Sequence, residues 1–129
     1  MNIFSVLNYG PSIRNKTIII IIIICGDLNM HTQSNNFLSL LETCEQSNLT
    51  VYDFNVLDKS SYTYVSEINS STTWLDHFIV NKNLGSDVIN RSIKYDTIIS
   101  DHLPICLEVC ISLDTGKPYD NDNKKKILF

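Results

Sequence analysis

Positive charge is scarce in this chain of 129 residues: 10 Lys and Arg stand against 14 Asp and Glu, for a net charge of −4. Bulk electrostatic attraction to a polyanion is excluded, so a nucleic-acid partner needs local basic groups or metal ions. The one basic cluster, Lys124-Lys125-Lys126, lies in a polar tail and reads first as a solvated end. None of the four cysteines (Cys25, Cys44, Cys106 and Cys110) is paired as C-x-x-C, which argues against a zinc site. Three sit inside apolar runs and Cys44 on the apolar side of a predicted helix. All four therefore read as buried, reduced thiols of an intracellular protein. A membrane-length segment is missing too: Ile18 to Cys25 is far short of the roughly 20 apolar residues that cross a bilayer. Arg14 and Lys16 precede that run as in a signal peptide, but Gly26-Asp27 follows with no small-x-small cleavage site. Internal repeats are absent.

What is present is ordinary globular composition, 43% hydrophobic and 19% charged, which excludes wholesale disorder. The length allows one domain, expected over residues 1–113, with a disordered polar tail over 114–129. A short apolar run (Ile3, Val6, Leu7) opens the chain, and turn signals follow at Tyr9-Gly10-Pro11-Ser12. The isoleucine run, β-branched and bounded by polar segments, predicts a strand buried on both faces. Ser34 can cap a helix whose apolar residues Phe37, Leu40, Leu41 and Cys44 fall at i, i+3, i+4 and i+7. Asn48 is a left-handed stop for that helix, with Leu49 folding back as its hydrophobic contact. The remainder reads as β, with strands predicted over 51–56, 62–65, 74–80, 87–94 and 103–113. Asp58-Lys59-Ser60-Ser61 connects the first two of these. The last strand is apolar on both parities, as in the middle of a layered sandwich.

Three short phrases carry the chemistry. In Gly26-Asp27-Leu28-Asn29, glycine permits close approach of backbone to ligand, and equal strand parity lets Asp27 and Asn29 point into one pocket. A carboxylate and an amide there can orient a water and hold a phosphate. Taken alone, the phrase reads first as a purely structural turn. In Trp74-Leu75-Asp76-His77, Asp76 lies in an apolar strand where a charge is rarely left unpaired. A backbone or hydroxyl partner and a histidine partner are equal readings on the local pattern. In Ser100-Asp101-His102, adjacent acid and imidazole just before a buried strand suit cation binding and proton handling. A lone pair of that kind is more often a satisfied loop.

In this order, the three phrases resemble the endonuclease/exonuclease/phosphatase superfamily, and most of all the endonuclease domains of non-LTR retrotransposons. Those domains carry G-D-x-N, then Y-T-[FY], then S-W-L-D-H or K-I-D-H, then S-D-H. Here the middle elements are Tyr62-Thr63-Tyr64 and Thr73-Trp74-Leu75-Asp76-His77, and the likeness runs from about Ile18 to Ile111. The resemblance implies an α/β fold: a truncated four-layer sandwich of the deoxyribonuclease I type, mainly its C-terminal sheet and helix. It also implies roles. Asp27 would align the attacking water or protonate the leaving oxygen, and Asn29 would hold the scissile phosphate. Asp76 would orient His102, which would stabilise the phosphorane or act as base. Asp101 would bind Mg²⁺, with Mn²⁺ as an alternative. Thr63 would contact the DNA backbone, and Tyr9, in a loop like the family's Y-x-P-N, would line the site.

The family's opening strands, with their Asn and metal-binding Glu, have no counterpart before Met1. Glu42, Glu45 and Glu67 do not match the missing motif. The expectation is therefore a fragment of a Mg²⁺-dependent DNA-nicking endonuclease, inactive or weakly active alone. It would normally be continuous with an N-terminal half and a downstream reverse transcriptase, act in the nucleus, and have no membrane partner. The isoleucine strand would lose the cover of a second sheet and become an aggregation hazard. A non-catalytic remnant or interaction fragment is one alternative. A phosphoesterase of the same superfamily acting on small molecules is the other. Inositol phosphatases place Arg after the strand Asp, where His77 stands here, and that difference favours the nuclease.

Overall fold

The computed structural model describes residues 3–8, 20–97, 100–112 and 124–128. Its strands are β1 (Ile3–Asn8), β2 (Ile20–Asp27), β3 (Leu49–Val51), β4 (Tyr64–Val65), β5 (Thr72–Thr73), β6 (Asp76–Asn81), β7 (Val88–Ile93), β8 (Ile105–Ser112) and β9 (Lys124–Leu128). Two helices, α1 (Asn35–Gln46) and α2 (Tyr52–Val56), lie between β2 and β4, and a 3-10 helix spans Lys82–Asp87. The result is a mixed α/β chain with antiparallel sheets and few helices.

One sheet has the order β1-β2-β6-β3 and the other β7-β8-β9, with β4-β5 as a small separate ribbon. The isoleucine run pairs on one side with β1, from Ile3↔Cys25 to Asn8↔Ile20. Its other side takes β6, from Ile23↔Val80 to Asp27↔Asp76. Alternation along β6 then divides the core. Phe78 and Val80 join Ile21 and Ile23 of β2 and Leu107 and Val109 of β8 in one buried cluster between the two sheets. Ile79 faces the other way, onto Phe37 and Cys44 of α1 and onto Val51, with Ile24 packed alongside. A helix layer, a sheet and a second sheet follow one another, and each buried large side chain contributes about 1.5–3 kcal/mol.

Helix α1 forms as its spacing predicts. Ser34 Oγ accepts from the Phe37 amide at 3.2 Å. Asn48 has φ 56, and Leu49 packs against the Phe37–Cys44 cluster.

Three expectations need correction. Residues 51–56 are not a strand: β3 stops at Val51 and the chain turns into α2, because Asp53 accepts from an amide of β6 and turns the segment inward. The isoleucine strand is not left bare, since β8 folds back over Ile21 and Ile23. Within the expected tail, Lys124–Leu128 pairs with β8, from Glu108↔Leu128 to Ser112↔Lys124.

Candidate active site

Register brings the first two phrases together. Antiparallel pairing sets Asp27, the last residue of β2, directly opposite Asp76, the first residue of β6. Directly opposed residues have Cβ atoms about 4.5–5.5 Å apart, so two carboxylates share one end of the sheet. Just before Asp27, Gly26 has φ 132, a conformation that side-chain-bearing residues rarely adopt. After Asp27 the strand ends. Asn29 has φ 50, and its amide donates to Asp27 Oδ1 at 2.7 Å, an Asx-type turn. Asn29 therefore reaches the site through a turn that asparagine tolerates, and not through the strand parity expected for it. The Leu28 amide pins the same turn to the Leu75 carbonyl at 3.1 Å.

The third phrase arrives through the ribbon. Tyr64 bridges to His102, the Val65 amide donates to the Asp101 carbonyl at 2.9 Å, and the Leu103 amide donates to the Thr63 carbonyl at 2.7 Å. Ser100 Oγ accepts from the His102 amide at 3.1 Å, and the Tyr64 ring lies 5.1 Å from the His102 ring. These contacts place His102 Nδ1 2.9 Å from Asp76 Oδ2. An ionised carboxylate only accepts, so in this bond Nδ1 carries the proton and Nε2 is the nitrogen left for chemistry. Nε2 lies 4.0 Å from Asp27 Oδ2, too far for a direct hydrogen bond. A water, which can donate to both acceptors, suits a gap of that kind. Half-exposure of the ring and of Asp27 leaves that side open to a ligand, whereas Asp76 is buried.

Asp27, Asp76 and His102 thus meet where β2 ends and β6 begins, and the Asn29 backbone is tied to the same Asp27 carboxylate. Thr63 has a different place from the one expected. It is fully buried, and its hydroxyl accepts from the Leu75 and Asp76 amides at 3.0 Å each. A hydroxyl so engaged holds the Asp76 strand from inside and is not available to touch DNA. Asp101 is exposed, and its described bond is through its backbone. Tyr9 lies outside the described residues.

Among the described residues, no group of three or more His, Cys, Asp or Glu comes together in an arrangement that could hold a metal. Asp101 offers one exposed carboxylate, which does not by itself meet the octahedral oxygen demand of Mg²⁺. The described donor set therefore does not fit a protein-built Mg²⁺ site. No described helix is long and apolar enough to cross a membrane.

Sequence reasoning missed a second acid–imidazole pair. His77 Nδ1 lies 2.8 Å from Asp53 Oδ2, and the Phe78 amide donates to Asp53 Oδ1 at 2.6 Å. Both residues are buried. The available signal was a lone acid, Asp53, amid Val51, Tyr52 and Phe54, subject to the same need for a partner that drew attention to Asp76.

Compared with protein-family models, curated proteins and solved structures, the chain matches none. The geometry of the site carries the functional reading.

Proposed function

We propose that the chain carries a phosphodiester-processing site of the endonuclease/exonuclease/phosphatase type, with DNA as its substrate, on part of a deoxyribonuclease I-like sandwich of retroelement kind. The observation that carries this reading is the 2.9 Å bond from Asp76 to His102, with Asp27 4.0 Å from the other ring nitrogen. Three phrases far apart in sequence meet as an oriented imidazole facing a carboxylate across a gap. The order of helix layer, sheet and sheet supports the architecture.

In this reading Asp76 fixes the ring and its tautomer, so that His102 Nε2 faces the substrate. The ring takes a proton or stabilises charge on the phosphorane. Asp27 aligns the attacking water or protonates the leaving oxygen. Asn29, on the turn tied to Asp27, holds a phosphate oxygen. Hydrolysis of one strand would leave a 3′-hydroxyl.

Binding tests the reading. Isothermal titration of the chain with a short DNA duplex, with Mg²⁺ present, should show saturable binding. His102→Ala and Asn29→Ala should each weaken it about tenfold or more, the loss expected for a hydrogen bond to a charged group. Wild-type binding that both variants retain would overturn the proposal. Preference for inositol phosphate over DNA would move the substrate to the small phosphoester class.

A further inference from the structure

The buried His77–Asp53 pair is not explained by packing alone. Phe37 and Trp74 enclose the His77 ring at centroid distances of 4.9 and 5.7 Å, and a phenyl group would fill that space as well. An imidazole differs by its two nitrogens, and both face oxygens. Nδ1 meets Asp53 Oδ2 at 2.8 Å, and Nε2 meets the backbone carbonyl of Met30 at 3.3 Å. The Asp53 carboxylate and the Met30 carbonyl both only accept, so the two contacts together require a proton on each ring nitrogen, with the Asp53 carboxylate balancing the ring's charge. Met30 follows Asn29 directly, at the end of the turn that presents Asp27 and Asn29. Asp53 is itself fixed by the Phe78 amide, so the chain of contacts runs from α2 through His77 to the turn.

We propose that His77 is a positioning residue for the phosphate-facing turn: Asp53 anchors its ring, and Nε2–H holds the Met30 carbonyl. The turn is then pinned at both ends, by Leu28 to Leu75 at one and by Met30 to His77 at the other. Asn29 is held between these two points, and Asp27 directly precedes the first, tied to Asn29 by its own side-chain bond. This inference rests on the proposed phosphodiesterase reading for its meaning, but the pinning is measurable without substrate.

Two conservative variants separate the two nitrogens. The amide nitrogen of glutamine reaches where Nε2 lies, and that of asparagine where Nδ1 lies. In His77→Gln the bond to Met30 is retained; in His77→Asn only the bond to Asp53 is. Amide hydrogen exchange on the full chain should show Leu28 and Asn29 protected as in wild type in His77→Gln. In His77→Asn the same amides should lose protection about tenfold, the effect of one lost hydrogen bond, with α1 unchanged. Equal protection of the turn in both variants, or equal loss in both, overturns the proposal. Should neither variant fold, the wild-type imidazole spectrum decides: a slowly exchanging Nε2 proton on His77 is expected, and an unprotonated Nε2 overturns it. If the turn behaves as expected but DNA leaves the chain unaffected, the positioning role stands and the phosphodiesterase reading falls.

Discussion

Replacing Thr63 by valine keeps the shape of the side chain and removes one oxygen. That oxygen accepts from two backbone amides, Leu75 and Asp76, at 3.0 Å each, in a residue with no exposed surface. Each buried donor left without a partner costs about 1–3 kcal/mol, and valine admits no water to take the oxygen's place. With some relaxation of the ribbon, the expected loss is about 2–4 kcal/mol, a large part of the 5–15 kcal/mol typical of a domain. With a urea m-value of about 1–3 kcal/mol per molar, the midpoint should fall by roughly 1–2 M. Thr63→Ser keeps the acceptor and loses one methyl, so it should cost only about 1 kcal/mol. Urea titration followed by circular dichroism and Trp74 fluorescence measures all three proteins. Amide exchange should report the largest change at Leu75 and Asp76. A Thr63→Val protein within about 0.5 kcal/mol of wild type would refute the reasoning, as would a serine variant equally damaged.

Other perturbations have equally specific outcomes. Gly26→Ala forces a side chain onto φ 132 and should cost about 1–3 kcal/mol in urea titration, although alanine adds apolar surface. Ser34→Ala removes the cap on the Phe37 amide and should lower stability by about 1 kcal/mol, with amide protection lost first at the start of α1. The side-chain and backbone bonds from Ser60 to Asp58 hold that carboxyl below its ordinary value of 3.8. A depressed acid contributes stability above its unfolded value and loses it as pH falls through the folded one. An NMR titration should therefore place Asp58 below 3.8, and Ser60→Ala should bring it back toward that value. Burial raises the Cys25 and Cys44 thiols, so alkylation of both should be slower than that of a free thiol at neutral pH and quicken as pH rises.

Legibility followed the physics of each element. The isoleucine strand and α1 were readable because burial and capping leave marks within a few residues: a β-branched run in one, and Ser34, Phe37, Cys44 and Asn48 at helical spacing in the other. Asp76 was readable as needing a partner, and His102 supplied one because an acid in an apolar strand cannot be left alone. By contrast, Val51-Tyr52-Asp53-Phe54-Asn55-Val56 alternates like a strand. Only the tertiary bonds of Asp53 to Phe78 and His77 show why it coils into α2. Such bonds span more than twenty residues and leave no local period. The cover on Ile21 and Ile23 was hidden for the same reason, since it comes from Leu107 and Val109, far along the chain. Thr63 was misread because its motif was matched to a substrate contact, while burial turns its hydroxyl to the backbone instead.

If the three phrases form one site facing a phosphodiester, the ring signals of the three histidines will report it. A short DNA duplex is titrated into the wild-type chain with Mg²⁺ and followed by NMR. His102 should shift saturably while His77, buried on its Asp53 anchor, stays in place, and Asp76→Asn should weaken the His102 response. A His102 signal that never moves, or that moves identically with Asp76 and Asp27 both replaced by asparagine, would contradict the account.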